Sequence, residues 1–148
     1  MTTSPIAYTI GYEGWELEEF VSRLREQRVK VLIDIREKPA SRKPGFSKTP
    51  LRAALEEAGI EYVHVKALGS PSTIRYEYKN GGDKDTFFTA YRIYLKSQIV
   101  HLRSVLATIQ EKTCCLMCLE RHVWDCHRSA VSDLLKKLDG NGLTFQHI

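Results

Sequence analysis

The sequence predicts one α/β domain: a mostly parallel five-stranded sheet with helices on both faces, in the order β-α-β-α-β-α-β-α-β. Three observations lead there. Short apolar runs alternate with amphipathic stretches from end to end, the pattern of successive strand–helix–strand units. The length of 148 residues suits one domain, which at that size buries roughly 70% of the surface its unfolded chain exposes. No internal repeat or Pro/Gly/Ser-rich linker divides the chain, so one domain covers residues 1–148.

The first strand is Ile6–Ile10, closed by the turn Gly11-Tyr12-Glu13-Gly14. A helix from about Glu16 to Gln27 follows, because Leu17, Phe20, Val21 and Leu24 recur on one face at helical spacing. Val29–Asp34 has the β-branched character of a buried strand. The loop from Arg36 to Ser47 carries Pro39, Pro44 and four basic residues. Ser47 or Thr49 suits a helix cap and Pro50 its first turn. Leu51, Ala54, Leu55 and Ala58 form that helix's apolar stripe, and Gly59 ends it. Ile60–Val65 is a third strand. A long polar loop from Leu68 to Asp85 follows, with the Asn80-Gly81-Gly82 turn near its tip. The longest helix is expected over Thr86–Gln110, through Phe87, Tyr91, Tyr94 or Leu95, Leu102, Val105 and Ile109. Thr113–Leu119 is a continuous apolar strand. A loop containing Trp124 leads to a helix from Cys126 or His127 to Leu138, and Asp139-Gly140-Asn141-Gly142 turns into a last strand, Leu143–Ile148.

Composition narrows the functional classes. The 22 basic against 18 acidic side chains give a net charge of +4, an excess suited to an anionic substrate, a nucleic-acid backbone or simply a mixed solvated surface. No apolar run approaches the ~20 residues of a membrane-spanning helix, and no basic stretch followed by an apolar one opens the chain. All four cysteines, Cys114, Cys115, Cys118 and Cys126, fall in one short segment rather than over many loops. That clustering points to a reducing, cytoplasmic setting with a thiol or metal site.

In an open parallel sheet ligands bind outside the carboxyl ends of the strands. Strand one places Gly11 and Tyr12 there, strand two Asp34 and Arg36, and strand four Cys118 and Glu120. The loop after strand four adds Cys126, His127 and Arg128. A thiol at a helix N-terminus beside cations has a depressed pKa, which makes Cys118 and Cys126 candidate nucleophiles. Glu120 suits general acid–base work, with His127 beside it in the same catalytic set. Arg128 and the helix N–H groups suit a phosphate or carboxylate. The plainer readings are that Cys114 and Cys115 are core, His127 caps its helix, Arg128 pairs with Asp125 or Asp133, and Asp34 bonds local backbone. Zinc on Cys118, Cys126 and His127 is the disfavoured alternative, because adjacent Cys and His seldom both reach one metal. Cys115 and Cys118, three apart in a strand, face opposite ways. The basic run Arg42-Lys43-Pro44-Gly45-Phe46 and the aromatic–basic run Arg75-Tyr76-Glu77-Tyr78-Lys79 suit nucleic acid, or else a solvated loop or lid.

At these residues the chain resembles the domain-of-unknown-function 488 (DUF488) family of prokaryotic proteins over nearly its whole length. The resemblance is carried by Thr9-Ile10-Gly11-Tyr12, by Asp34-Ile35-Arg36 with Pro39, Ser41, Arg42, Pro44, Phe46 and Ser47, and by Cys118-Leu119-Glu120 with Cys126-His127-Arg128-Ser129. Where the family often has Leu-Gly-Gly, this chain has Leu68-Gly69-Ser70. The resemblance implies a compact α/β fold and a shared polar pocket built from those blocks, and no particular activity. A fainter likeness to rhodanese and cysteine-phosphatase domains lies in an Asp-x-Arg after a strand and a strand-end Cys before a helix-start Arg. Here the span from Cys118 to Arg128 is longer, and Glu120 is additional.

The reading that follows is an enzyme acting by hydrolysis or group transfer on a nucleotide, a nucleic-acid base or another small anionic substrate. Cys118, Glu120, Cys126 and His127 do the chemistry; Gly11, Tyr12, Asp34, Arg36, Ser41, Arg42 and Arg128 bind, with Asp34 orienting Arg36. No dinucleotide glycine fingerprint argues for redox chemistry with such a cofactor. The alternatives are a nucleic-acid-binding module without chemistry, or a rhodanese-like thiol or sulfur-transfer protein.

Overall fold

The computed structural model describes residues 5–118 and 127–148, apart from the side chains of residues 79 and 127. Its elements are β1 (Ile6–Gly11), α1 (Leu17–Glu26), β2 (Val31–Asp34), α2 (Lys48–Glu57), β3 (Glu61–His64), a 3-10 turn (Lys66–Leu68), α3 (Ser72–Lys79), α4 (Lys84–Ser97), α5 (Ile99–Glu111), β4 (Cys114–Cys118), α6 (His127–Asp139) and β5 (Thr144–His147). The five strands form one sheet in the order β3-β2-β4-β1-β5, every pair parallel. Among the described residues no helix is long and apolar enough to cross a membrane.

Parallel strands are covered on both faces, so the central ones read as unbroken apolar runs. In β4 all five side chains are buried. Cys114, Leu116 and Cys118 pack with α4, α5 and α6, whereas Cys115 and Met117 pack with α1 and α2. Cys115 and Cys118 therefore do face opposite sides of the sheet. Phe20 and Leu24 of α1 and Leu51 and Leu55 of α2 anchor one face; Tyr91, Leu95, Leu102, Val105 and Ile109 anchor the other. Burying a side chain of this size stabilises by roughly 1.5–3 kcal/mol. Gly59, at φ +80°, takes the left-handed conformation that ends α2.

Two expectations are corrected. The helix anticipated over Thr86–Gln110 is two helices, broken at Gln98 (φ −99°, ψ 33°), whose N–H donates to the Leu95 carbonyl at 2.8 Å. No Gly or Pro marks the break. The apolar spacing continues across it, so it reflects tertiary packing: α4 lies against α3 and α6, and α5 against α6 and the 3-10 turn. The loop anticipated from Leu68 to Asp85 contains α3, which periodicity does not reveal because none of that helix's described side chains is fully buried. It is tied down by polar contacts instead. Glu37 accepts from the Ser72 N–H at 3.0 Å and from Arg75 Nη2 at 2.9 Å.

Candidate functional site

The connections out of β1 and β4 run in opposite directions and on opposite faces of the sheet, each passing over the other strand. From β1 the chain crosses to β2 and on to β3 at one edge; from β4 it crosses the other way to β5. In open α/β sheets ligands bind outside the carboxyl ends of the strands, and these two ends lie side by side. Gly11 and Cys118 are register partners there, and the Tyr12 N–H donates to the Cys118 carbonyl at 3.0 Å. Gly11 contributes no side chain there. Helix α6 begins beyond β4, which sets its positive N-terminal end toward this rim.

The anticipated site residues separate onto two faces of the sheet. On the α6 face, Cys118 is 3% exposed and disulfide-bonded, while Cys114 and Cys115 are free thiols. Burial pushes the Cys114 thiol up to about 12, and burial raises Cys115 as well. Both are inert core groups, as their apolar strand implies. Arg128 is 1% exposed, and its Nη1 donates to Thr9 Oγ1 at 3.3 Å. Thr9 in turn bonds His147 Nδ1. Burial, and then the charges of Arg128 and Lys136, hold the His147 ring below its ordinary pKa. Asp133, one anticipated partner of Arg128, instead sits 3.7 Å from Arg92 and 3.8 Å from Lys136.

On the α1/α2 face the loop after β2 is built around Asp34 and Arg36. Asp34 is fully buried and takes Arg36 side-on: Nε to Oδ1 at 2.9 Å and Nη2 to Oδ2 at 2.7 Å. Its Oδ1 also accepts the Arg36 backbone N–H at 3.0 Å, and its Oδ2 the Tyr62 hydroxyl at 2.5 Å. Burial alone lowers an arginine, yet the hydrogen bond and charge of Asp34 outweigh it and raise Arg36 further. Burial, then Asp34, raises the Tyr62 phenol too. Arg36 reaches on to the Phe46 carbonyl with Nη1 at 2.7 Å, and its guanidinium lies 5.3 Å from the Tyr12 ring centre. Tyr12 stacks on Phe46 at 4.8 Å. Asp34 thus orients Arg36 and both bonds local backbone; at 9% exposure, Arg36 directs its bonds to pinning the loop.

The same loop explains Ser41 and Ser47. Ser47 Oγ donates to the Ser41 carbonyl at 3.1 Å and accepts the Ser41 N–H at 3.0 Å, so it braces the loop rather than capping α2. The Ser41 hydroxyl accepts the Lys43 N–H at 3.1 Å. Arg42 is exposed. Glu120 and Cys126 lie outside the described residues, as does the side chain of His127, whose backbone opens α6. Among the described residues no cluster of three His, Cys, Asp or Glu side chains gathers as a metal site would; the zinc set of Cys118, Cys126 and His127 falls partly outside them.

Several participants escaped sequence reading. Tyr62 sits two residues before His64, the register partner of Asp34, on the same side of the sheet, a diagonal neighbour that only pairing reveals. His64 Nε2 lies 2.6 Å from the Arg36 carbonyl, and since a carbonyl only accepts, that nitrogen carries the proton. Thr9 reads as an ordinary strand residue until Arg128 and His147 are seen around it. Gly69 keeps ordinary backbone angles (φ −76°), but a Cβ on it would lie 2.3 Å from the Glu37 nitrogen. Ser70, where the resemblance has a second glycine, is buried without a positive φ, so a serine fits that backbone.

Fold and site together define an open parallel α/β domain with its polar residues drawn to the carboxyl edge of the sheet. The family model described as "Domain of unknown function DUF488" matches residues 16–135, and the chain belongs to that family. The match takes in Asp34, Arg36, Cys118 and Cys126-His127-Arg128, whereas β1 and β5 lie outside it. No curated protein and no solved structure matches the chain.

Proposed function

We propose that the chain is an enzyme acting by hydrolysis or group transfer on a small anionic substrate, a nucleotide or nucleic-acid base among the candidates, in the crevice between β1 and β4. The observation that carries this reading is the placement of Cys118 at the carboxyl end of β4, directly opposite a glycine at the carboxyl end of β1. The positive end of α6 favours an anion at that rim. The same end, with Arg128 on the same face, favours the thiolate over the thiol once Cys118 is reduced. A dithiol supplies the two electrons and two protons of that reduction and ends as its own disulfide. The Cys118 thiolate then attacks an electrophilic carbon or phosphorus, the leaving group departs with a proton from Glu120, and water or a second acceptor cleaves the intermediate to restore the thiolate.

The test is a screen of nucleotides, nucleosides and phosphate esters with and without dithiol. Activity is expected only in the reduced protein, with a loss of roughly 10²–10⁴-fold in Glu120→Gln and at least as large a loss in Cys118→Ser. Full activity in both variants overturns the proposal.

The disulfide at Cys118 favours a second reading, thiol–disulfide exchange or sulfur transfer. Catalytic disulfides have potentials of about −120 to −270 mV, whereas structural ones lie below about −300 mV. A redox titration that puts the Cys118 bond in the structural range removes this reading.

A further inference from the structure

We infer that the cleft between the end of β3, the 3-10 turn and α5 is a second binding site, for a small organic anion: a phosphate monoester or carboxylate on an apolar body. It stands apart from the proposed reaction at Cys118, because β3 is the edge strand and β2 separates it from β4. The cleft encloses about 600 Å³, within the roughly 300–1,000 Å³ of small-molecule sites.

Its walls set the ligand's chemistry. Val65, Pro71 and Val105, with the Tyr94 ring, offer an apolar surface. The Tyr94 hydroxyl is directed to the Ala67 carbonyl at 2.8 Å. One carboxylate, Glu37, lines the cleft, and it is neutralised by Arg75 at 2.9 Å while also accepting the Ser72 N–H. Lys66 and His101 line it as well, both exposed, and among the described residues neither is in an ion pair. With its one carboxylate matched, the charge left over is positive. A lysine is a point charge suited to a phosphate or carboxylate, and the apolar walls discriminate against the bare inorganic ion.

The probes are phenyl phosphate, benzoate, inorganic phosphate and benzyl alcohol, titrated into the full-length protein and followed by NMR at the His101 ring and the Val105 methyls. Saturable shifts with phenyl phosphate or benzoate are expected, at least tenfold tighter than with inorganic phosphate or benzyl alcohol. Lys66→Glu, at an exposed position, is expected to weaken the anions at least tenfold while leaving benzyl alcohol and the thermal midpoint unchanged. A Pro71→Ala variant provides a second, uncharged change that weakens the aryl anions but not phosphate. Absence of saturable shifts overturns the inference, as does equal binding by inorganic phosphate, or Lys66→Glu binding phenyl phosphate as the parent does.

Discussion

Asp34→Asn is expected to be among the most destabilising single-atom changes in the protein. The carboxylate accepts four hydrogen bonds, from Arg36 N, Nε and Nη2 and from the Tyr62 hydroxyl, at 2.5 to 3.0 Å and wholly out of water. The substitution removes the charge and, whichever way the amide is turned, sets its NH₂ against a donating nitrogen of Arg36, because Arg36 bonds both oxygens. Arg36 is left buried with its charge uncompensated, and breaking a buried pair in this way costs about 3–5 kcal/mol. For a chain of this size each 1 kcal/mol moves Tm by about 2–4 °C, which puts the loss at roughly 6–20 °C. Arg36→Met leaves the fully buried Asp34 carboxylate without its counter-charge and is expected to cost a comparable amount. The double variant leaves neither charge and should be more stable than the two single losses predict, by about 1–3 kcal/mol. Urea unfolding at pH 7 with all four proteins measures this, with unchanged m-values showing that the unfolded state is not the cause. A loss under about 1 kcal/mol in Asp34→Asn, or strict additivity in the double variant, would refute the assignment of this pair as the loop's anchor.

Other outcomes follow from single contacts. Gly69→Ala drives a Cβ into the Glu37 backbone, 2.3 Å from its nitrogen and 2.7 Å from its Cα, and is expected to cost at least about 2 kcal/mol in urea unfolding. His147 is held below 6.5 by burial and then by Arg128 and Lys136, so the unfolded chain protonates first as pH falls. Stability from this group is full above pH 6.5 and declines as pH drops through that value; His147→Gln should flatten Tm between pH 7.5 and 5.5. Glu37→Ala removes both the cap on Ser72 and the partner of Arg75. It is expected to raise amide exchange across α3 while global stability falls by only about 1 kcal/mol.

The fold was legible because its signals are local and repeated. The period-3.6 stripes of α1 and α2 and the unbroken apolar run of β4 each fix an element without reference to the rest, and the alternation of types then fixes the parallel sheet. What stayed hidden depends on partners distant in sequence. The break at Gln98 carries no breaker residue, and α3 buries no apolar stripe, so both come from packing that a window of fifteen residues does not contain. The site divides in the same way. Cys118 at a strand end follows from position alone, but the engagement of Arg36 with the Phe46 carbonyl joins residues ten apart through a loop whose course has no period to read.

That division changes what the polar motifs mean. Asp34, Arg36, Ser41 and Ser47 share the carboxyl edge with Cys118 but belong to a self-satisfied network on the opposite face of the sheet. Their side chains meet one another and the loop's own carbonyls, so substitutions there should lower stability and shift the position of the exposed Arg42. Changes at Cys118 and Glu120 should instead alter chemistry at nearly constant stability of the reduced protein. The two sets are therefore separable by experiment. A variant panel measured for both unfolding free energy and activity should scatter along two axes, one for the loop anchor and one for the crevice. Were the panel to collapse onto a single line, with activity tracking stability for Cys118 and Asp34 alike, the crevice would have no role beyond holding the fold together.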